Sequence, residues 1–518
     1  MATVLPPLSK RQKTEASERA REQQVLDEIP TNAGSVRIQF FDEITGLPVG
    51  VPTQVPVADA SPKNLELLLN NLQANDPSEL ISYRFTLSVK SKNSKDENSI
   101  SYPSCLWKSL IVPGLINTEE LLNISAAPQA VFKVQAVSRC ASSITGHREA
   151  ILATQFSPAS SARMVSGSGD NTARIWDCDT GTPVHTLKGH TSWVLAVSWS
   201  PDDSRIATGS MDNTVRIWDP KTGNQLGTPM KGHSKWVTSL AWEPYHVQKQ
   251  EKPRLASASK DATVRIWSTN QQTILMVLTG HKGSVSCVKW GGMGFIYTGS
   301  HDKTVKVWNA SDGTLAMSLE THAHWVNHLA LSTDFVNRTA FYDHTAHVPS
   351  SVESKLTKAR ERFSKAVTIQ GQLIERLVSA SDDFTMYLWE PSKGNKPVAR
   401  MVGHQKQVNH VTFSPDGLLI ASSGFDNHTK VWNGRDGKFL NTLRGHVAPV
   451  YQCAFSPDSR LLVTGSKDTT LKVWDMQTFK LSMDLPGHQD EVYAVDWSPD
   501  GQKVGSGGKD KAVRVWRH

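Results

Sequence analysis

Residues 166–176 read SGSGDNTARIW, and residues 208–218 read TGSMDNTVRIW. In each stretch an aspartate stands six residues ahead of a tryptophan. The same pair recurs through the chain: Asp170 and Trp176, Asp212 and Trp218, Asp261 and Trp267, Asp302 and Trp308, Asp383 and Trp389, Asp426 and Trp432, Asp468 and Trp474, Asp510 and Trp516. Upstream of each lies one histidine: His147, His190, His233, His281, His322, His404, His446 and His488, all but His322 preceded by glycine. A period of about forty residues carrying Gly-His and Asp-six-Trp predicts a β-propeller with four strands per blade, hence eight blades and a mainly-β fold.

The period also measures its own irregularities. Successive tryptophans are 41 to 49 residues apart except for the 81 between Trp308 and Trp389. The excess lies at 336–376, which holds no Gly-His and no Asp-six-Trp pair. Its segment SKLTKARERFSKA (354–366) reads as a basic helix or a disordered stretch inside blade five, not as a ninth blade. The last unit ends at Trp516, so it lacks an outermost strand. AVFKVQAVSR (130–139) precedes the first Gly-His and is expected to supply it, removing the open sheet edge.

Outside the repeat the texture changes. Residues 1–33 form a polar, disordered tail in which Lys10, Arg11 and Lys13 make a small basic cluster. Residues 34–130 run strand (SVRIQFFD), turn (ITGLPVG), strand (PTQVPVADAS), helix (NLELLLNNL, with Pro62 at its first position), strand (YRFTLSV), the order of an α+β ubiquitin-like, β-grasp domain. The propeller then occupies 131–518.

Bulk properties narrow the function classes. The 518 residues exceed one ordinary core, and a net charge of +7 suits an anionic environment. No stretch is apolar enough for a membrane span, and the first residues lack the apolar run of a secretory signal. Five scattered cysteines without a CxxC pair fit a reducing compartment and offer neither a disulfide framework nor a zinc site. Neither a Gly-rich phosphate loop nor a single reactive constellation is present, so no enzyme is expected. Eight copies of Asp, His and Trp at fixed spacing are scaffold: the aspartate fixes the turn, the histidine donates to it, and the tryptophan fills the core.

Function is then expected where the blades differ. Three residues after each histidine come Ala150, Trp193, Trp236, Ser284, Trp325, Gln407, Pro449 and Glu491. Just before each turn aspartate come Gly169, Met211, Lys260, His301, Asp382, Phe425, Lys467 and Lys509. Both sets should line one rim. Trp193, Trp236 and Trp325 with Met211 would make an aromatic docking patch, and Lys260, Lys467 and Lys509 would make the rim partly basic.

LELLLNNL (65–72) and SLIVPGLINTEE (109–120), followed by GHREAILATQFSP, GSGDNTARIWDCDTGTPVHTLKGH, THAHWVNHLALSTD and LPGHQDEVYAVDWS, resemble the Notchless family of WD-repeat assembly factors over residues 34–518. The resemblance implies a nuclear and nucleolar, monomeric factor on pre-60S particles, its propeller docked on ribosomal RNA and other assembly factors. It also implies that the N-terminal domain binds the metal-ion-dependent adhesion site of midasin, an AAA-type ATPase. The chain would hold no metal or cofactor of its own. Glu119, with Glu120 as the lesser alternative, would complete the coordination of a Mg²⁺ held by midasin, a role suited to a hard carboxylate oxygen. On the residues alone, Asn117-Thr118-Glu119-Glu120 reads more readily as a helix start with capping carboxylates, and only the resemblance favours the metal-ligand reading. Two other readings stay open at this level. A ubiquitin-ligase substrate adaptor would need a ligase-docking helix pair, which 1–130 does not show, and a signalling scaffold would place a heptad helix before the propeller.

Overall fold

Eight four-stranded antiparallel sheets, drawn from 139–517, carry most of the chain. The computed structural model describes residues 34–42, 47–73, 82–90, 97–102, 106–111, 119, 121–128, 132–248, 252–343, 348–369 and 371–518. Lys10, Arg11, Lys13 and Glu120 lie outside the described residues. The chain divides into two units, Met1–Val131 and Phe132–His518.

In the first unit a mixed five-stranded sheet is built from β1 (Ser35–Asp42), β2 (Pro48–Pro56), β3 (Tyr83–Lys90), β4 (Glu97–Ser101) and β5 (Leu121–Pro128) in the order β2-β1-β5-β3-β4. β1 and β5 run parallel at its centre, and the other pairs are antiparallel. The second strand starts at Pro48, inside the stretch expected to be turn. Helix α1 (Pro62–Leu72) starts at Ser61, whose hydroxyl accepts the amide of Asn64 at 3.3 Å, with Pro62 in the first turn. Leu65 and Leu69, one helical turn apart, are fully buried against Val36, Ile38 and Phe40, which alternate along one face of β1.

In the second unit seven sheets are each formed within one stretch: 151–188, 194–231, 237–278, 285–319, 326–402, 408–443 and 450–486. The eighth combines 492–517 with a strand from the other end of the unit. The first strand of each sheet lies against the first strand of the next, and that of sheet eight lies against that of sheet one, so the eight form a closed ring. Polar side chains stitch neighbouring first strands. Thr238 donates to the carbonyl of Val285 (2.7 Å), Ser286 to Val326 (2.6 Å), Asn327 to Val408 (2.9 Å) and Asn409 to Tyr451 (2.8 Å), each time crossing to the following sheet.

Closure takes place as expected, but with a different segment. The outermost strand of sheet eight is Arg139–Thr145, where Cys140 faces Trp516 and Ile144 faces Val513. Residues 132–138 lie beside it without joining a sheet. The reason is polarity. An outermost strand is half exposed and suits RCASSIT, whereas the apolar residues upstream are consumed as packing. Val134 and Val137 are buried against Leu461, Val463 and Trp497, and the amide of Val134 donates to Asp458 Oδ2 at 2.8 Å.

The long interval between Trp308 and Trp389 holds helices α2 (Asp334–Thr339) and α3 (Val352–Val367) and a short hairpin at Thr368–Leu373, between the first two strands of sheet five. α3 is capped by Ser351 and buries Ala359, Phe363 and Val367 at four-residue spacing. The insertion crosses one opening of the ring. Arg338 grips both oxygens of Asp496 in sheet eight (2.7 and 2.6 Å) and reaches the carbonyl of Phe156 in sheet one (3.2 Å). Tyr342 bonds the carbonyl of Asp202 in sheet two, and Phe341 packs edge-on to Tyr245 in sheet three. Phe363 stacks on His246 at 4.1 Å, and the buried Glu375 accepts the Gly292 amide of sheet four. A central cavity of about 330 Å³ has α2 among its lining. Among the described residues no helix is long and apolar enough to cross a membrane.

Candidate docking rim

Every sheet repeats one buried network. The histidine Nδ1 lies 2.7–2.9 Å from the turn aspartate. Its Nε2 lies 2.7–2.8 Å from a hydroxyl. That hydroxyl accepts the tryptophan Nε1–H at 2.7–3.0 Å. Donors and acceptors close with neutral imidazole: Trp N–H to hydroxyl, hydroxyl to Nε2, Nδ1–H to carboxylate. The hydroxyl hubs were not picked out by the repeat pattern above. They are Ser166, Thr208, Ser257, Thr298, Ser379, Ser422, Thr464 and Ser506, always four residues before the aspartate, a regularity the sequence does carry.

Burial raises the aspartate pKa values, but hydrogen bonds from the histidine, from neighbouring hydroxyls where present and from backbone amides outweigh it. All eight fall below the ordinary carboxylate range, with Asp426 and Asp510 at about 2. The eight aspartates are therefore ionised turn anchors.

The network aims the variable residues. In each sheet the amide of the residue before the aspartate donates to the carbonyl of the residue three after the histidine, at 2.8–2.9 Å: Gly169 to Ala150, Met211 to Trp193, Lys260 to Trp236, His301 to Ser284, Asp382 to Trp325, Phe425 to Gln407, Lys467 to Pro449 and Lys509 to Glu491. The two variable sets are thus bonded into one rim.

On that rim Trp193, Trp236 and Trp325 are 51%, 40% and 45% exposed, far from the 0–3% of the eight core tryptophans. Lys260 Nζ sits 4.3 Å over the Trp236 ring, a cation–π pair. His301 stacks on Trp325 at 4.6 Å and 8°, and His324 tilts against it at 5.2 Å. Burial holds His301 below its usual pKa. Met211 is half-buried between these positions in the sequence order of the ring.

Lys467 and Lys509 depart from the expected basic rim. Lys467 pairs with Glu491 at 3.4 Å and Lys509 with Asp490 at 3.5 Å, so their charge is locally neutralised. Glu491 also accepts the hydroxyl of Tyr451 at 2.9 Å. Unanticipated rim residues are Lys235, Lys282, Lys303 and Phe384, all exposed. Lys303 and Phe384 directly follow a turn aspartate, where every repeat has a left-handed backbone, with φ of 72° and 66° at these two. Asparagine occupies that position in Asn171, Asn213 and Asn427. Ala262, Thr469 and Lys511 hold it in the other three repeats, so the backbone alone does not single out Lys303 or Phe384.

Glu119, in the first unit, is an exposed turn residue two positions before the central strand β5. In the cavity of the second unit, Cys453 Sγ lies 3.6 Å from His410 Nδ1. Burial pushes the thiol up to about 12 and the imidazole down to about 3, so neither charges near neutrality, the reverse of a thiolate–imidazolium nucleophile.

The repeats match the model of the WD domain, G-beta repeat family at residues 138–177, 181–219, 223–268, 272–309, 395–433, 437–475 and 479–517. The chain is a WD-repeat protein of propeller type. It is 58% identical over 443 residues to ribosome assembly protein 4 of Chaetomium thermophilum, covering 85% of each chain. It is 55% identical over 448 residues to ribosome assembly protein 4 of Saccharomyces cerevisiae, covering 86% of this chain and 85% of that one. To the Notchless protein homolog of Arabidopsis thaliana it is 45% identical, covering 80% and 83%. Among solved structures it is similar to the crystal structure of a computationally designed protein, Ika8, at 28% identity and TM-score 0.57, covering 73% of this chain and all of the designed one. The chain belongs to the family of ribosome assembly protein 4 and Notchless.

Proposed function

We propose that this protein is a non-catalytic, monomeric assembly factor of the large (60S) ribosomal subunit, acting in the nucleus and nucleolus. The observation that carries this reading is the identity to ribosome assembly protein 4. The 443 matched residues outnumber those of the second unit, so the likeness reaches into the first. In this reading the second unit is an eight-bladed WD propeller whose fifth blade, with only its outermost strand inside a family repeat, carries the insertion. The first unit is a ubiquitin-like β-grasp domain, for which the order β2-β1-β5-β3-β4 around α1 is the support.

The propeller rim docks on pre-ribosomal RNA and proteins. The first unit presents Glu119 to the adhesion site of midasin, where its carboxylate supplies an oxygen to a Mg²⁺ that midasin holds. The protein carries no cofactor. Exposure of Glu119 in a turn ahead of the central strand supports this role, because a rigid sheet fixes the base from which the carboxylate projects.

The test is a pull-down of midasin's adhesion domain with Mg²⁺ by the full chain. Glu119→Ala and Glu119→Asp are expected to abolish capture while leaving melting temperature and association with pre-60S particles unchanged. Undiminished capture by Glu119→Ala refutes the assignment.

A further inference from the structure

The rim is not uniform in charge. On sheets seven and eight its lysines are matched by acids: Lys467 with Glu491, Lys509 with Asp490, and Lys511 with Glu149 of sheet one at 3.8 Å, while Arg148 on sheet one and Lys406 on sheet six are exposed without an ion pair among the described residues. On sheets three and four the pattern differs. Lys235, Lys260, Lys282 and Lys303 are all exposed, and among the described residues none has a carboxylate within ion-pair distance. The turn aspartates of this half, Asp212, Asp261, Asp302 and Asp383, are engaged by their histidines. Of the other acids, Asp382 is held by Asn327 at 2.6 Å and faces His324 at 3.6 Å, and Glu320 accepts the hydroxyl of Ser318 at 2.8 Å.

The same half carries the exposed aromatic rings. Trp193, Trp236 and Trp325 occupy equivalent positions on sheets two, three and five, and Phe384 joins them on sheet five, 42% exposed. Phe384 follows its turn aspartate as Lys303 does on sheet four, at the left-handed position that all eight repeats share.

We propose that this half of the rim, from sheet two to sheet five, is a stacking platform for single-stranded RNA. The inference deepens the assembly-factor reading and rests on it for the choice of RNA. Planar rings alternating with unpaired ammonium groups match a ligand made of planar bases and phosphates. A protein partner fits less well, because lysine is depleted at the core of protein interfaces and each of these four would need an acid supplied across the contact. Double-stranded RNA fits less well too, because its bases are stacked on one another and closed to the rings. Lys260 over Trp236 already shows the pairing of cation and ring that a base would complete from the open side.

The probe is a fluorescein-labelled ten-nucleotide oligouridine, titrated with the full-length protein and read by anisotropy at several salt concentrations. Four lysine–phosphate contacts predict a slope of log K against log salt of about −2.8, hence about a 50-fold loss from 50 to 200 mM salt. The quadruple variant Lys235→Ser, Lys260→Ser, Lys282→Ser, Lys303→Asn should flatten the slope to near zero. Each of Trp193→Ala, Trp236→Ala and Trp325→Ala should weaken binding about tenfold with the slope kept. Lys467→Ser with Lys509→Ser should leave both unchanged. All sites are solvent-facing, and unchanged melting temperatures verify the fold.

The proposal is overturned if the platform and control variants lose affinity equally, if duplex RNA competes as well as oligouridine, or if the wild type binds no oligouridine at 50 mM salt. Co-sedimentation of the wild type with pre-60S particles reports on the assembly-factor reading separately. Co-sedimentation with no oligouridine binding leaves that reading standing, rejects the platform and assigns the rim to protein.

Discussion

Replacing Asp468 by alanine removes four acceptor contacts at once. Oδ2 accepts from His446 Nδ1 (2.7 Å) and from the Val447 amide (3.1 Å), while Oδ1 accepts from the Thr470 amide (3.1 Å) and hydroxyl (2.7 Å). These losses are unequal. Val447 is 82% exposed and Thr470 is partly exposed, so water replaces the carboxylate there. His446, with a side chain 2% exposed, is left with an orphaned N–H or must turn over its tautomer and disturb Thr464 and Trp474 behind it. An unsatisfied buried donor costs about 1–3 kcal/mol, and the weakened turn adds to it, giving about 3 kcal/mol. For a unit of this size that shifts the melting temperature by about 4 °C. Asp468→Asn should do nearly as much harm, because its amide meets the imidazole donor with a donor or keeps only half of the acceptors. Differential scanning calorimetry measures the shift, and oligouridine anisotropy on the folded protein measures function, which should hold. A shift below 1 °C, or lost binding in a variant as stable as wild type, refutes the scaffold assignment.

The lowered aspartate pKa values fix the acid response. A carboxyl whose pKa falls from 3.8 to about 2 on folding, as in Asp426 and Asp510, contributes about 2 kcal/mol that is present above pH 4 and lost as pH falls toward 2. Circular dichroism should therefore show acid unfolding in that window, and Asp510→Ala should lose less stability across it than wild type. Arg338→Ala unpins the insertion from Asp496 and Phe156 and should cost about 2 kcal/mol, with faster amide exchange in both α2 and the first strand of sheet eight. Exchange confined to α2 counts against a clamp across the ring. Phe384→Asn should relieve left-handed strain, raising stability by about 1 kcal/mol in chemical denaturation while weakening oligouridine binding. A destabilised Phe384→Asn would show that the ring packs inward.

The repeat made the second unit legible because its period is long, strict and carried by residues with one structural use each. Sequence periodicity predicted eight repeats, and the pairing of amides before each aspartate explains why two sets of variable residues line one rim. What stayed hidden depends on partners distant in sequence. Lys467 looks basic until Glu491 is placed beside it. AVFKVQAV looked like the closing strand because apolar alternation marks strands, yet the outermost position favours the polar RCASSIT that follows it. The helix of the insertion was visible in its four-residue spacing, but its reach to Asp496 was not, since nothing local to Arg338 names a partner 158 residues away.

Sheet eight joins Arg139–Thr145 to strands that are synthesised much later. At about 5–20 residues per second, the early strand waits on the order of 20–70 s on the ribosome before Ala512–Arg517 emerges. During that interval it has no partner, and an unpaired strand is a template for aggregation. Its sequence is suited to waiting: one isoleucine and otherwise short polar or small side chains, with an arginine at its start. The polarity that makes this strand inconspicuous among its neighbours thus also protects the nascent chain, and a hydrophobic replacement that the finished sheet tolerates would be expected to lower the yield of folded protein during translation.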